Sequence, residues 1–127
     1  MRVGITIDVP DIAAALDFYG AVFGMVEHAR PAPHYAMIGN GDVSIGLSVK
    51  SAASRPTPDP DLRRSYARHW TPVHLDFHVE DHEATLAAIL AAGGAVEQRH
   101  AGGGGRPSVA FCADPFGHGF CVLGPRA

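Results

Sequence analysis

Two stretches of the chain alternate apolar and polar residues with the two-residue period of a strand that has one buried face. In the first, Val3, Ile5, Ile7 and Val9 point one way and Gly4, Thr6 and Asp8 the other. In the second, Leu75, Phe77 and Val79 form the apolar face and His74, Asp76 and His78 the opposite one. An aspartate follows each stretch, Asp11 or Asp81, where an N-cap would accept from the free amides of a first helical turn. Helical stripes come next, Ile12, Leu16, Tyr19 and Phe23 in one and Leu86, Ile89 and Leu90 in the other. Gly24 and the pair Gly93-Gly94 stop these helices, since glycine tolerates the left-handed backbone of a C-terminal cap. Three short β-rich segments follow each helix, near 25–30, 34–39 and 43–49 and again near 95–100, 107–113 and 118–123. Each module therefore reads β-α-β-β-β.

The two modules are copies. Sliding the chain against itself by 70 residues aligns Val9 to Glu27 with Val79 to Glu97 without a gap, and eight of those nineteen positions are identical, among them Asp11/Asp81, Leu16/Leu86, Gly24/Gly94 and Glu27/Glu97. The expected organisation is one domain over 1–127, with module one at 1–50, a linker at 51–72 and module two at 73–124. Within the linker, Asp59 as N-cap and Pro60 at the first helical position predict a short polar helix through Arg68. The run Gly102 to Gly105 reads as a mobile hairpin loop, with a lid over a site as the alternative.

With 127 residues, 46% of them hydrophobic, the chain sustains one core region rather than several independent ones. Ten Lys+Arg against thirteen Asp+Glu give a charge of -3, so no basic stripe is available for a phosphate backbone and nucleic acid is not an expected partner. No apolar run approaches the roughly 20 residues of a membrane-spanning helix, and no charged-then-hydrophobic leader opens the chain, so the expected location is cytoplasmic. Cys112 and Cys121 are too few for a disulfide framework and read as reduced thiols.

The opening "VPDIAAALDFYGAVFGM", the closing "DPFGHGFCVLG" and the duplicated β-α-β-β-β unit between them resemble the vicinal oxygen chelate superfamily of glyoxalases, bleomycin-resistance proteins and extradiol dioxygenases. The resemblance implies an α+β fold of two tandem modules forming a cupped, mixed or antiparallel sheet around a cavity, and pairing into a homodimer. It also implies metal ligands on the first and last strands of the modules. Those positions fall on Gly4, His74, Gly46 and Cys121, and only His74 is a usual ligand type. Glycine offers no side-chain donor, so the usual metal set is incomplete and no cofactor is expected, a divalent metal at His74 and Cys121 being the exception. One alternative makes Cys112 and Cys121 cross-strand neighbours that join His74 in a Cys2His zinc site; the plainer reading makes both thiols core filler.

Thr6, Asp8, His74, Asp76 and His78 alternate onto faces that line the cavity in this architecture, joined by Ser44 and Ser48 around Gly46. Each has a structural reading on its own, but several polar groups on paired strands point together to a pocket for a small-molecule ligand. His74, Asp76 and His78 are the candidates for acid-base chemistry, because a carboxylate beside an imidazole favours its charged form. Thr6, Asp8, Ser44, Gly46, Ser48, Trp70 and Cys121 are the candidates for ligand contact. The segment "RRSYARHWTP" admits two readings: Trp70 and the arginines at the cavity rim, meeting an anionic or aromatic ligand, or Trp70 anchoring the linker with the arginines solvated. His28, His34, His82, His100 and His118 show no ligand spacing and read as surface or turn residues. Two functions follow: a binding protein that holds a small organic molecule, without altering it, in the cavity the resemblance implies between the two modules, or a glyoxalase-like lyase, isomerase or epimerase.

Overall fold

A computed structural model of the chain describes residues 1–126. Its elements are β1 (Ile5–Val9), α1 (Ile12–Phe23), β2 (Val26–Ala32), β3 (Tyr35–Gly39), β4 (Ser44–Val49), β5 (Leu75–His78), α2 (His82–Ala91), β6 (Ala95–His100), β7 (Pro107–Ala113) and β8 (Gly119–Arg126). They group into two compact units, Met1–Tyr66 and Ala67–Ala127. Each unit holds one open four-stranded sheet, in the order β1-β4-β3-β2 in the first and β5-β8-β7-β6 in the second. The first strand of each module runs parallel to its last, β1 to β4 and β5 to β8, and the remaining pairs are antiparallel. The duplicated β-α-β-β-β architecture is thus present twice, as two mixed sheets. No described helix is long and apolar enough to cross a membrane.

Local chemistry sets the helix ends as the sequence predicts. The Asp11 side chain accepts from the Ala14 amide at 2.7 Å and the Asp81 side chain from the Ala84 amide at 2.9 Å. Gly24 closes α1 at φ 65°, and Gly93 follows the Ala92 cap of α2 at φ 90°. The buried stripes are rotated from the expected ones. In α1 they are Ile12, Ala15, Phe18 and Tyr19, with Leu16 and Phe23 half-buried, and in α2 Thr85, Leu86 and Ile89, with Leu90 exposed.

The linker helix is absent. The Asp59 side chain accepts from the Asp61 amide at 2.9 Å, but the turn stops there. Arg64 explains why. Its carbonyl accepts from the Ala53 amide at 2.8 Å and its amide donates to the Ser54 carbonyl at 2.9 Å, so the groups a helix needs are already committed. The Tyr66 hydroxyl adds a bond to the Lys50 carbonyl at 2.6 Å, and residues 51–66 fold as part of the first unit.

The closing motif also has a structural task. Asp114 is buried between β7 and β8, where one carboxylate oxygen accepts from the Phe116 and His118 amides at 2.9 and 3.0 Å. Its other oxygen lies 2.7 Å from His118 Nδ1, which makes His118 a turn residue with a defined partner. His82 departs from the surface reading: its side chain is 9% exposed and its Nε2 donates to the Val122 carbonyl at 3.2 Å. Replacing Asp114 by Ala leaves two turn amides unpaired and should cost about 2–3 kcal/mol, whereas Asp114→Asn keeps an acceptor and should cost less. Urea denaturation measures both; equal midpoints for wild type and Asp114→Ala would show that the turn holds without the carboxylate.

Candidate functional site

Residues paired across a sheet share a face, and residues one position apart take opposite faces. In the second unit β5 and β8 pair Asp76 with Cys121, and β7 and β8 pair Phe111 with Cys121. His74, Asp76, His78, Phe111 and Cys121 therefore lie on one face. The other carries Phe77, Ala110, Cys112, Phe120 and Val122, which share the core with Leu86 and Ile89 of α2. This parity overturns the Cys2His reading. Cys112 pairs with Phe120 rather than Cys121, so the two thiols face opposite ways.

On the open face, one donor atom each from His74, Asp76 and Cys121 converge to within 4.8 Å of one another. His74 Nε2 is 3.3 Å from an Asp76 carboxylate oxygen. Burial, then the Asp76 charge and a hydrogen bond from the thiol to that carboxylate, push the Cys121 thiol up to about 11. At neutral pH it is a thiol and by itself a poor nucleophile. His78 lies on the same face at the exposed end of β5. As a donor set, imidazole, carboxylate and thiol suit a borderline cation such as zinc(II); they lack the all-nitrogen-and-oxygen character that suits a hard ion.

Trp70 lies beside this cluster. Its ring sits 4.9 Å from that of His74 and 5.7 Å, edge to face, from that of Phe111, and the Arg68 guanidinium covers it at 5.4 Å. Gly119 makes the approach possible, since a Cβ there would collide with the indole. A pocket of about 630 Å³ results, lined by Arg68, Trp70, His74, Glu97, Gln98 and Phe111. Trp70 thus anchors its segment and lines a pocket at once. The arginines are not simply solvated: Arg68 pairs through two nitrogens with Glu97, and Arg64 with Asp8.

The first unit places Thr6, Asp8, Ser44, Gly46 and Ser48 on one face, through the pairs Thr6 with Gly46 and Asp8 with Ser48. Thr6, Asp8 and Ser44 are already engaged. Arg64 Nε donates to Asp8 at 2.8 Å, and the Tyr35 hydroxyl lies 3.0 Å from Thr6 Oγ1. The Tyr35 phenol covers Gly46 so closely that a Cβ there would overlap it. Ser44 Oγ is 2.9 Å from Nε2 of His28, which stands at an irregularity of β2 between Glu27 and Ala29. A bulge there aims His28 across β3 toward Ser44 of β4. These two residues and the Gly39–Val43 turn border a shallower pocket of about 450 Å³. Sequence reasoning missed Tyr35, Arg64 and His28 as partners; the one available signal was Gly46, a glycine inside a strand, which marks a close approach.

Comparison with known proteins places this geometry in context. The glyoxalase-like domain family matches residues 4–123. No curated protein sequence matches the chain. Among solved structures, the fosfomycin resistance protein FosX of Listeria monocytogenes is similar with a TM-score of 0.72 at 15% identity, over 98% of this chain and 92% of that one. A glyoxalase-related enzyme of Fulvimarina pelagi gives 0.71 at 19% identity, over 98% and 88%. A variant of the Listeria FosX carrying Mn(II) and a dihydroxypropylphosphonic acid gives 0.73 at 14% identity, over 97% and 88%. At these identities the structural likeness establishes the fold.

The overlap of Tyr35 with the space above Gly46 gives a test of how the first unit's face is filled. Gly46→Ala should destabilise by about 1–3 kcal/mol through overpacking, and most of that cost should vanish when Tyr35 is also replaced by Ala. A double-mutant cycle in urea reads the coupling; additive effects would mean that the phenol does not occupy that space.

Proposed function

The chain belongs to the glyoxalase-like domain family, and from that premise we propose that it binds a small organic molecule on the open face of its second sheet, without the family's usual metal set. The observation that carries this reading is the pocket beside Trp70, Phe111 and His74. Two aromatic rings and an imidazole offer flat apolar surface, while the Arg68–Glu97 pair and Gln98 offer donors and acceptors at its edge. Such a mixture suits a planar or unsaturated organic molecule bearing a polar or anionic group. Gly4 and Gly46 supply no donor, and the face that carries Gly46 holds Tyr35 instead. A cytoplasmic homodimer is part of the same proposal.

A second reading, proton transfer on the bound molecule, has one observation in its favour: the 3.3 Å approach of His74 Nε2 to Asp76. The carboxylate would orient the imidazole, so that His74 gives or takes a proton at the ligand. His78, at the exposed end of the strand, would act only on a ligand that extends that far. A divalent ion, where bound, would be held by His74, Asp76 and Cys121 and would polarise a ligand oxygen.

Trp70 is the one tryptophan in the chain and therefore reports on this pocket alone. Titration with 1-anilinonaphthalene-8-sulfonate, an aromatic sulfonate, should quench the indole saturably and sensitise emission from the probe. His74→Ala should weaken that binding by roughly tenfold, about 1.4 kcal/mol, with little change in melting temperature. A loss of stability on the order of 1–3 kcal/mol with unchanged probe affinity would instead make His74 a structural residue and remove it from the site.

A further inference from the structure

We propose that Glu97 is an internal competitor for the ligand: its carboxylate holds the place on the Arg68 guanidinium that the carboxylate of an aromatic acid takes on entering the pocket beside Trp70. The inference rests on the reading of that pocket as the ligand site, and it names the ligand's class and the group that competes with it. Arg68 commits Nε and Nη2 to the two Glu97 oxygens, the second at 3.0 Å, and Nη1 to the His69 carbonyl. A paired fork of this kind is the geometry in which a guanidinium recognises a planar carboxylate. Glu97 therefore marks, with a side chain of the protein, where a ligand carboxylate fits. The same guanidinium covers the Trp70 ring at 5.4 Å, so an acid seated there finds aromatic surface at Trp70 and Phe111.

The backbone aims Glu97 at this spot. In β6, Val96 pairs with Cys112 and Gln98 with Phe111, which leaves Glu97 as the extra residue of a bulge. Adjacent strand residues ordinarily take opposite faces, yet Glu97 and Gln98 both line the pocket. The duplicate position in the first unit is used differently, for Glu27 commits both its oxygens to Arg30 of its own strand. The side chains of Arg68 and Glu97 are 31% and 38% exposed, and an ion pair open to water to that extent is weak. An entering acid can therefore displace Glu97 into water, keep Arg68 paired, and add the burial of a ring that Glu97 cannot supply. A neutral ring compound gains nothing from the exchange.

Anthranilate, an aromatic carboxylate that accepts excitation energy from indole, and its neutral amide, anthranilamide, are the probes. Trp70 is the chain's one tryptophan, so energy transfer reads occupancy of this pocket. Glu97→Gln keeps the side chain's size and removes the competing charge; it should tighten anthranilate about fivefold and move anthranilamide by less than about twofold. In that variant the acid should bind more tightly than the amide, and adding Arg68→Gln should remove the preference. Unchanged or weaker anthranilate binding in Glu97→Gln, or equal tightening of the amide, would overturn the proposal, and neither result depends on how well the Arg68 variant folds. Binding of the amide alongside such a result would leave the organic-ligand reading standing, whereas failure of both probes to reach Trp70 in wild type and variant would remove the two readings together.

Discussion

The pairing of β5 with β8 is the constraint on which the site depends. Side chains alternate strictly along a strand, so the burial of Phe120 and Val122 against the core that includes Leu86 and Ile89 forces Asp76 and Cys121 onto the other face. A slip of one residue would expose those apolar side chains and bury a carboxylate, a change that costs far more than a single hydrogen bond returns. The site's donors are thus fixed by the core's need for apolar surface. They need no loop to hold them, and their convergence follows from where the hydrophobic residues must go.

The same duplicated frame has been put to different use in its two halves. In the first unit the positions in register with His74, Asp76 and Cys121 are Gly4, Thr6 and Gly46, and the room left by Gly46 is filled by Tyr35. Arg64 closes on Asp8 from the segment that follows β4 and ties that segment back to its own unit. In the second unit the polar positions remain donors, and Trp70 lies across Gly119 to form one wall of a pocket. Two copies of one topology thus yield a filled face and an open one, a division made by a handful of side chains with the backbone order unchanged.

Much of this was legible in the sequence, for reasons that are local. Alternation predicted β1 and β5 and their polar faces, Asp11 and Asp81 predicted the helix starts, and the 70-residue repeat predicted the topology. What escaped was set by contacts between residues far apart. The expected linker helix is lost because Arg64 is held by Asp8, Ser54 and Ala53. Tyr35 reaches Thr6 across 29 residues of chain. The alternative that made Cys112 and Cys121 cross-strand neighbours fails by one step of register: β7 and β8 pair Ala113 with Gly119, so the hairpin centres on Phe116 and Cys121 meets Phe111, although both thiols are buried as the plainer reading expects. One residue of difference in a turn moves a side chain to the other face, and spacing about the turn's glycine does not reveal it.

The central claim is that the second sheet's open face, and not its counterpart in the first unit, receives the ligand. Backbone amide NMR during titration with 1-anilinonaphthalene-8-sulfonate tests it most directly, because every strand of both sheets is read at once. The account predicts shifts concentrated at Gln98, Phe111, Gly119, Cys121 and the Trp70 indole, with Thr6, Tyr35, Gly46 and Ser48 unmoved. Shifts centred on Tyr35 and Ser48, or on the His28 and Ser44 side of the first unit, would contradict it.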